Sequence, residues 1–133
     1  MNTPLILIFA RTLPAISCGC MADLGRVRWH LAQAKKNAQD AIDGRARFGN
    51  DWTNDPVTRA GITKLVETTA EYMGNIPLEI QAQFPDVPWK EMAGMRNLTS
   101  HEYHRLDVEI VESTIEVDLP RLITRIDQIL ALI

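Results

Sequence analysis

The chain is poor in cysteine, in aromatic residues and in long apolar runs. Its only cysteines among 133 residues, Cys18 and Cys20, are too close together for a disulfide framework and provide at most half of a zinc site. Aromatic residues make up 6% of the chain, which argues against a surface on which single strands stack. The net charge of -3 argues against a broad basic nucleic-acid surface, so any nucleic-acid chemistry has to be local, in a cleft.

The first twenty residues are predicted to be an N-terminal extension outside the fold. The apolar run from Pro4 to Ala10 is too short to span a bilayer, and Arg11 follows it, whereas a signal peptide places its positive charge first. A targeting segment and a later start at Met21 both stay open, and the later start is favoured because a helical pattern begins there. We predict an extension over 1–20, one domain over 21–133, a cytoplasmic location and no membrane contact.

From Met21 onward, apolar residues recur every three or four positions and no useful segment alternates with period two. This pattern predicts an all-α, up-and-down bundle of four to five helices. The first helix is expected to end near Gly44, before a polar stretch. Asp55 and Pro56 are typical of a helix N-cap and first helical residue, and the second helix is expected to end at Gly74–Asn75.

Proline residues divide the second half of the chain. A short helix is predicted from Pro77 to Phe84, and a longer one from Trp89 to about Tyr103 after Pro88. In the last helix, Pro120 predicts a kink or break, with Asp118 as the cap of a fresh start. The buried stripe predicted for that helix consists of Val108, Val111, Ile115, Leu119, Leu122, Ile126, Ile129 and Ile133.

The helix predicted over 89–103 carries the candidate chemistry. At 100° per residue, its two methionines, Met92 and Met95, form a buried stripe with Leu98. The polar side chains fall on the opposite side, and a solvated helix face is the ordinary interpretation of such a pattern. They comprise a guanidinium, an amide, a hydroxyl, imidazoles and a phenol, namely Arg96, Asn97, Ser100, His101, His104 and Tyr103.

The spacing of three of these residues is more specific. Arg96, His101 and Tyr103 form an R-x4-H-x-Y pattern, which arises by chance in roughly three of a thousand chains with this composition. The pattern resembles the signature of the HEPN superfamily, specifically the HepT-like toxins, over about residues 22–133. Asn97 after the arginine and the break around Asp118 also resemble that family. The resemblance implies a small helical bundle that forms homodimers.

The family resemblance implies a metal-independent endoribonuclease without a cofactor. His101 would be the acid/base that takes the 2′-OH proton, since an imidazole titrates near neutral pH. Arg96 would stabilise the negative charge that develops on the phosphorane. Asn97 would orient this pair or the phosphate, and a two-fold dimer would bring two motifs into one cleft that cleaves RNA.

The resemblance also implies a partner, a minimal nucleotidyltransferase that acts as antitoxin in a type II toxin–antitoxin system. Tyr103 would accept AMP from that partner, which would place a phosphodiester beside the motif and neutralise the toxin. An amphipathic tyrosine at the edge of the core is the alternative for Tyr103. For the whole chain, the alternative is a non-catalytic helical partner or substrate-binding subunit of a nucleotidyltransferase.

Other polar residues carry weaker signals. His104 is interpreted as a surface residue more readily than as a helper of the motif. His30 is interpreted as a structural histidine. Arg45 and Arg47 belong to a predicted polar loop and are interpreted as solvated, with the edge of an RNA groove as the alternative. No Gly-rich phosphate loop is present in the sequence.

Overall fold

The computed structural model describes residues 17–95 and 108–133, and within these ranges it is helical without any β-strand. The predicted all-α bundle is therefore confirmed. None of the described helices combines the length and apolarity that a membrane-spanning segment requires. In chain order the elements are α1 (Ser17–Phe48), a 3₁₀ turn (Gly49–Thr53), α2 (Pro56–Gly74), α3 (Leu78–Gln83), α4 (Trp89–Met95), α5 (Val108–Ser113), a π-helical turn (Thr114–Asp118) and α6 (Leu119–Leu132).

The core lies along the predicted apolar stripes. The long helix α1 packs against α2 and α6, and α2 also packs against α4. The last helical run buries six of its eight predicted positions and half-buries the two at its ends. The residues less than 2% exposed include Leu31, Trp52, Met73, Ile80, Phe84, Val111, Ile126 and Ile129.

The start of α2 follows the predicted capping pattern. Asp55 has an extended backbone, with φ −96° and ψ 118°, and its carboxylate accepts a hydrogen bond from the backbone N–H of Thr58 at 2.9 Å. Pro56 occupies the first turn, where its missing N–H leaves no donor unpaired. The helix ends at Gly74 with Asn75 as C-cap, so both predicted boundaries are confirmed.

The first helix is longer than predicted at both ends. It begins at Ser17, four residues before Met21, and passes through Gly44 to Phe48. Gly44 stays helical where α1 approaches α2, and a Cβ there would lie 3.6 Å from Cγ1 of Ile62. The helix ends instead at Phe48 and is followed by Gly49, whose φ of +57° is the left-handed conformation that glycine adopts without strain.

The last helical run contains a π-helical turn just before Pro120. Asp118 has helical backbone angles and its side chain makes no capping hydrogen bond, so the predicted cap is wrong. Proline lacks the N–H for an α-helical bond to residue i−4, and its ring clashes with that carbonyl. The wider π turn changes the bonding pattern at this point, so α5 and α6 follow one another without a fresh start.

Candidate functional site

The predicted site residues lie in the part of the chain between α4 and α5. Arg96, Asn97, His101 and Tyr103, as well as His104, fall outside the described residues. The structure describes the two elements that border this segment, and these show how each end is attached to the bundle.

The N-terminal border is α4, which is fixed by one tryptophan and two methionines. The indole Nε1 of Trp89 donates to the backbone oxygen of Phe84 at 2.9 Å, which ties the start of α4 to the end of α3. Met92 and Met95 pack against the core, on the predicted side of the helix, but they are half-buried rather than buried. Leu98, the third residue of that stripe, lies outside the described residues.

The C-terminal border is α5, which is held by a carboxylate with two donors. Arg45 of α1 donates through Nε to Oε1 of Glu112 at 2.6 Å, and its Nη2 also contacts that oxygen. The indole Nε1 of Trp52 donates to Oε2 of the same carboxylate at 2.6 Å. Glu116 adds a weaker contact, with Oε1 3.5 Å from Nη2 of Arg45. We call Arg45, Trp52 and Glu112 the Glu112 cluster.

The electrostatics of the Glu112 cluster follow from these contacts. The hydrogen bond from Arg45 lowers the pKa of Glu112 below its ordinary value, burial opposes this change and the bond from Trp52 adds to it. The same hydrogen bond raises the pKa of Arg45. Glu112 therefore stays ionised at neutral pH, and the charge of Arg45 is matched within the fold.

The interpretation of Arg45 as part of a solvated loop is wrong. Arg45 lies in the last turn of α1 and its side chain is 18% exposed, because α1 continues past Gly44 and directs Arg45 to Glu112. Arg47 is also helical, and it is exposed. Neither Trp52 nor Glu112 was singled out from the sequence, and their positions 60 residues apart give no local signal of the contact.

A cavity of about 490 Å³ lies beside the Glu112 cluster, where the described chain resumes after the predicted site. Three glutamates are among its described lining residues, so the described part of the cavity is unfavourable for phosphate groups. Within the described ranges, no three side chains are arranged to hold a metal ion. The lining includes Asn50, Trp52, Val108, Glu109, Glu112 and Glu116.

Two buried side-chain oxygens on α2 were also not predicted from the sequence. Oγ1 of Thr63 and Oε2 of Glu67 have no hydrogen-bond partner in the described structure. The other carboxylate oxygen of Glu67 accepts from Nζ of Lys64 at 3.2 Å. A buried oxygen without a hydrogen-bond partner lowers the stability of a fold.

Comparison with known proteins identifies the chain. A family model described as "Ribonuclease HepT-like" matches residues 32–129, which is more than half of the chain and includes the segment between α4 and α5. The chain belongs to the HepT-like ribonuclease family. The family predicted from the R-x4-H-x-Y spacing is thereby confirmed, and so is the enzyme class, an endoribonuclease.

Curated relatives agree with this family. A protein of Caldanaerobacter subterraneus subsp. tengcongensis, named as a putative RNase, is 35% identical over 80 residues, which cover 60% of this chain and 71% of the relative. A protein of Methanocaldococcus jannaschii, also named as a putative RNase, is 30% identical over 109 residues, which cover 78% of this chain and 87% of the relative. The "Probable ribonuclease HepT" of Thermococcus cleftensis is 33% identical over 72 residues, covering 54% and 66%. No solved structure matches this HepT-like chain.

Proposed function

We propose that this HepT-like protein is the toxin of a type II toxin–antitoxin system, a metal-independent endoribonuclease whose active site contains Arg96 and His101. The observation that carries the proposal is the R-x4-H-x-Y spacing within residues 32–129, the range that matches the family. The attachment of α4 through Trp89 and of α5 through Glu112 supports it, because a catalytic segment needs fixed ends.

The proposed reaction is attack of a ribose 2′-oxygen on the adjacent phosphorus. His101 takes the 2′-OH proton, the new O–P bond forms and the bond to the 5′-oxygen of the next nucleotide breaks. A second histidine, His101 of the partner subunit in a two-fold dimer, returns a proton to that leaving oxygen. Arg96 stabilises the negative charge on the phosphoryl oxygens, and Asn97 orients the phosphate. The products are a 2′,3′-cyclic phosphate and a free 5′-hydroxyl.

The test compares motif variants with neighbours outside the motif. Arg96→Ala and His101→Ala should each lower the cleavage rate by about 10²–10³-fold and abolish growth arrest, since each removes a proton-transfer group or a charge-stabilising donor. Arg105→Ala and His104→Ala are the matched controls and should retain activity. Circular dichroism and sedimentation should show folded dimers for all four variants. Cleavage should persist in EDTA, and a requirement for Mg²⁺ would contradict the mechanism.

We further propose control by a nucleotidyltransferase antitoxin that transfers AMP to Tyr103. The phenolic oxygen would attack the α-phosphorus of ATP, with pyrophosphate as the leaving group and the phenolic proton lost. Tyr103→Phe removes this nucleophile, so it should stay toxic when expressed alone and escape neutralisation by the partner. Peptide mapping after incubation with ATP and the partner should place the added AMP on Tyr103. Full neutralisation of the Phe variant would instead indicate occlusion of the cleft.

The proposal for the N-terminus is that residues 1–20 are not needed for activity. A chain beginning at Met21 lacks four residues of the described helix α1. From Leu24 onward, where burial is described, the first buried residue is Val27. We therefore expect unchanged cleavage and a melting temperature within a few degrees of the full chain. A larger loss would mean that the apolar run at Pro4–Ala10 packs on the bundle.

The alternative function is a non-catalytic partner or substrate-binding subunit of a nucleotidyltransferase. The net charge of -3 and the carboxylates beside Val108 favour it over an RNA-cleaving role. Growth arrest on expression without a partner would contradict this alternative. Complex formation with the nucleotidyltransferase and no cleavage by either protein would support it.

A further inference from the structure

A second cavity, of about 380 Å³, lies between the N-terminal half of α1 and the end of α2. Its volume falls in the range of small-molecule sites. The described residues that line it include one cation and no carboxylate, in contrast to the cavity beside Glu112. They are Arg26, Val27, His30, Asn75 and Pro77.

His30 presents a neutral imidazole to this cavity. Its Nδ1 is buried and has no hydrogen-bond partner in the described structure. Burial, with a further contribution from the charge of Arg26, lowers the pKa of His30 below its ordinary value of 6.5. An N–H at Nδ1 would be a buried donor without an acceptor, whereas a proton on Nε2 leaves an N–H that can donate to a ligand.

Trp29 provides an exposed aromatic surface next to His30. Its side chain is 51% exposed, although its ring contacts two others edge-to-face. The centroids are 5.1 Å from His30 and 5.6 Å from Tyr72. These contacts hold the indole in place while about half of the residue stays in solvent, and an exposed indole offers surface on which a nucleobase can stack.

From these three features we infer that the cavity at Arg26, His30 and Asn75 binds a single unpaired nucleotide, with Trp29 as the stacking surface. The guanidinium of Arg26 pairs with the phosphate. The imidazole of His30 and the amide of Asn75 supply hydrogen bonds to the edge of a base. The bound nucleotide is either part of the RNA substrate, in which case the inference rests on the proposed function, or a free nucleotide. Both present the same phosphate and base to the cavity.

The cavity is distant from the place where the chain resumes after the predicted site. His30 and Arg45 are separated by fifteen positions on one helix, which corresponds to roughly 22 Å at 1.5 Å per residue. Arg45 in turn contacts Glu112, one helical turn after Val108. The inferred nucleotide site is therefore at the other end of α1 from the Glu112 cluster.

The test is binding of a fluorescein-labelled single-stranded 2′-O-methyl oligoribonucleotide to the full chain, measured by anisotropy. This probe lacks the 2′-OH and is not cleaved, so its binding is independent of catalysis. Trp29→Leu should weaken binding by at least about five-fold, and Trp29→Phe should restore most of it. Arg26→Gln should also reduce the slope of log K against log salt by about 0.7. Arg59→Gln, an exposed arginine on α2, is the matched control and should change neither quantity.

A second arm uses AMP and measures quenching of tryptophan fluorescence. Quenching that Arg26→Gln abolishes, with no effect of either variant on the oligonucleotide, identifies a free nucleotide as the ligand and supports the site. An oligonucleotide affinity and AMP quenching that are unchanged by Arg26→Gln and Trp29→Leu would overturn the inference. Absence of RNA cleavage by the wild type would contradict the proposed function alone, because neither arm depends on cleavage.

Discussion

The two ends of α1 use similar side chains in opposite ways. Near its C-terminus, Arg45 and the indole of Trp52 share the carboxylate of Glu112 and are largely removed from solvent. Near its N-terminus, Arg26 lines an open cavity beside His30, whose Nδ1 has no partner in the described structure. The charge of Arg45 is therefore matched by a carboxylate, whereas the described lining of the cavity at Arg26 includes no carboxylate.

This difference separates residues that hold the helices together from residues that are available to a ligand. A cation whose charge is already matched by a partly buried carboxylate gains little from a phosphate, because the existing pair would have to break first. An exposed cation beside a neutral imidazole and a half-exposed indole has no such obstacle. The sequence shows that an arginine is present but not which of these two roles it has. The role depends on whether a carboxylate contacts the arginine in the folded structure.

The largest effect is expected at Glu112. Glu112→Ala leaves the guanidinium of Arg45 and the indole N–H of Trp52 without their acceptor in a largely buried position. We expect the free energy of unfolding to fall by about 2–3 kcal/mol, below the value for a fully buried pair because the two charged side chains are 18% and 26% exposed. The urea midpoint at an unchanged m-value measures this loss.

Trp52→Phe is the matched control, since it removes one donor and keeps the carboxylate paired with Arg45. It should cost clearly less than Glu112→Ala. Equal stability of Glu112→Ala and the wild type would mean that the cluster adds nothing to the fold, and the contrast between the two ends of α1 would then disappear.

The regular parts of this fold were predictable because their signals are local. Asp55 and Pro56 set the start of α2 by their own side chains, and the three- and four-residue spacing of the last helix gave its buried face. The continuation of α1 past Gly44 was not predicted, because a glycine before a polar stretch is the usual local signal of a helix end, whereas Gly44 packs near Ile62 of another helix. The π turn before Pro120 likewise replaces a local cap that Asp118 alone suggests.

The candidate site also has one part that was predictable from the sequence and another that was not. The spacing of Arg96, His101 and Tyr103 is a property of the sequence and sufficed to predict the family. The contact between Trp52 and Glu112 joins residues 60 positions apart, so it required the three-dimensional structure. His30 was interpreted as structural because it lies far in sequence from any pair of acidic residues at ligand spacing. The cavity joins α1 to the connection after α2, and residues about 45 positions apart give no local sequence signal of it.

A smaller effect is expected at the other end of α1, through the protonation of His30. Since burial lowers the pKa of His30 in the folded state, the unfolded chain binds this proton more readily. The contribution of His30 to stability is therefore complete above pH 6.5 and is lost as the pH falls from 6.5 through the lowered pKa. Urea midpoints between pH 7.5 and pH 5 should decline less in His30→Gln than in the wild type, and parallel declines would contradict a buried neutral imidazole.

The smallest effect is expected between the two ends, where Lys35 of α1 pairs with Asp127 of α6. Nζ and Oδ1 are 2.6 Å apart, but the two side chains are 41% and 49% exposed. Water screens such a pair and both side chains lose rotational freedom to form it, so Lys35→Ala should lower the free energy of unfolding by less than about 0.5 kcal/mol. Repeating the urea titration in 1 M NaCl, where the screening length is about 3 Å, should remove even this difference. A loss as large as that of Glu112→Ala would mean that a short distance alone makes an ion pair stabilising. We expect instead that the Glu112 cluster stabilises the fold more than the Lys35–Asp127 pair because it is less exposed and has a second donor, Trp52.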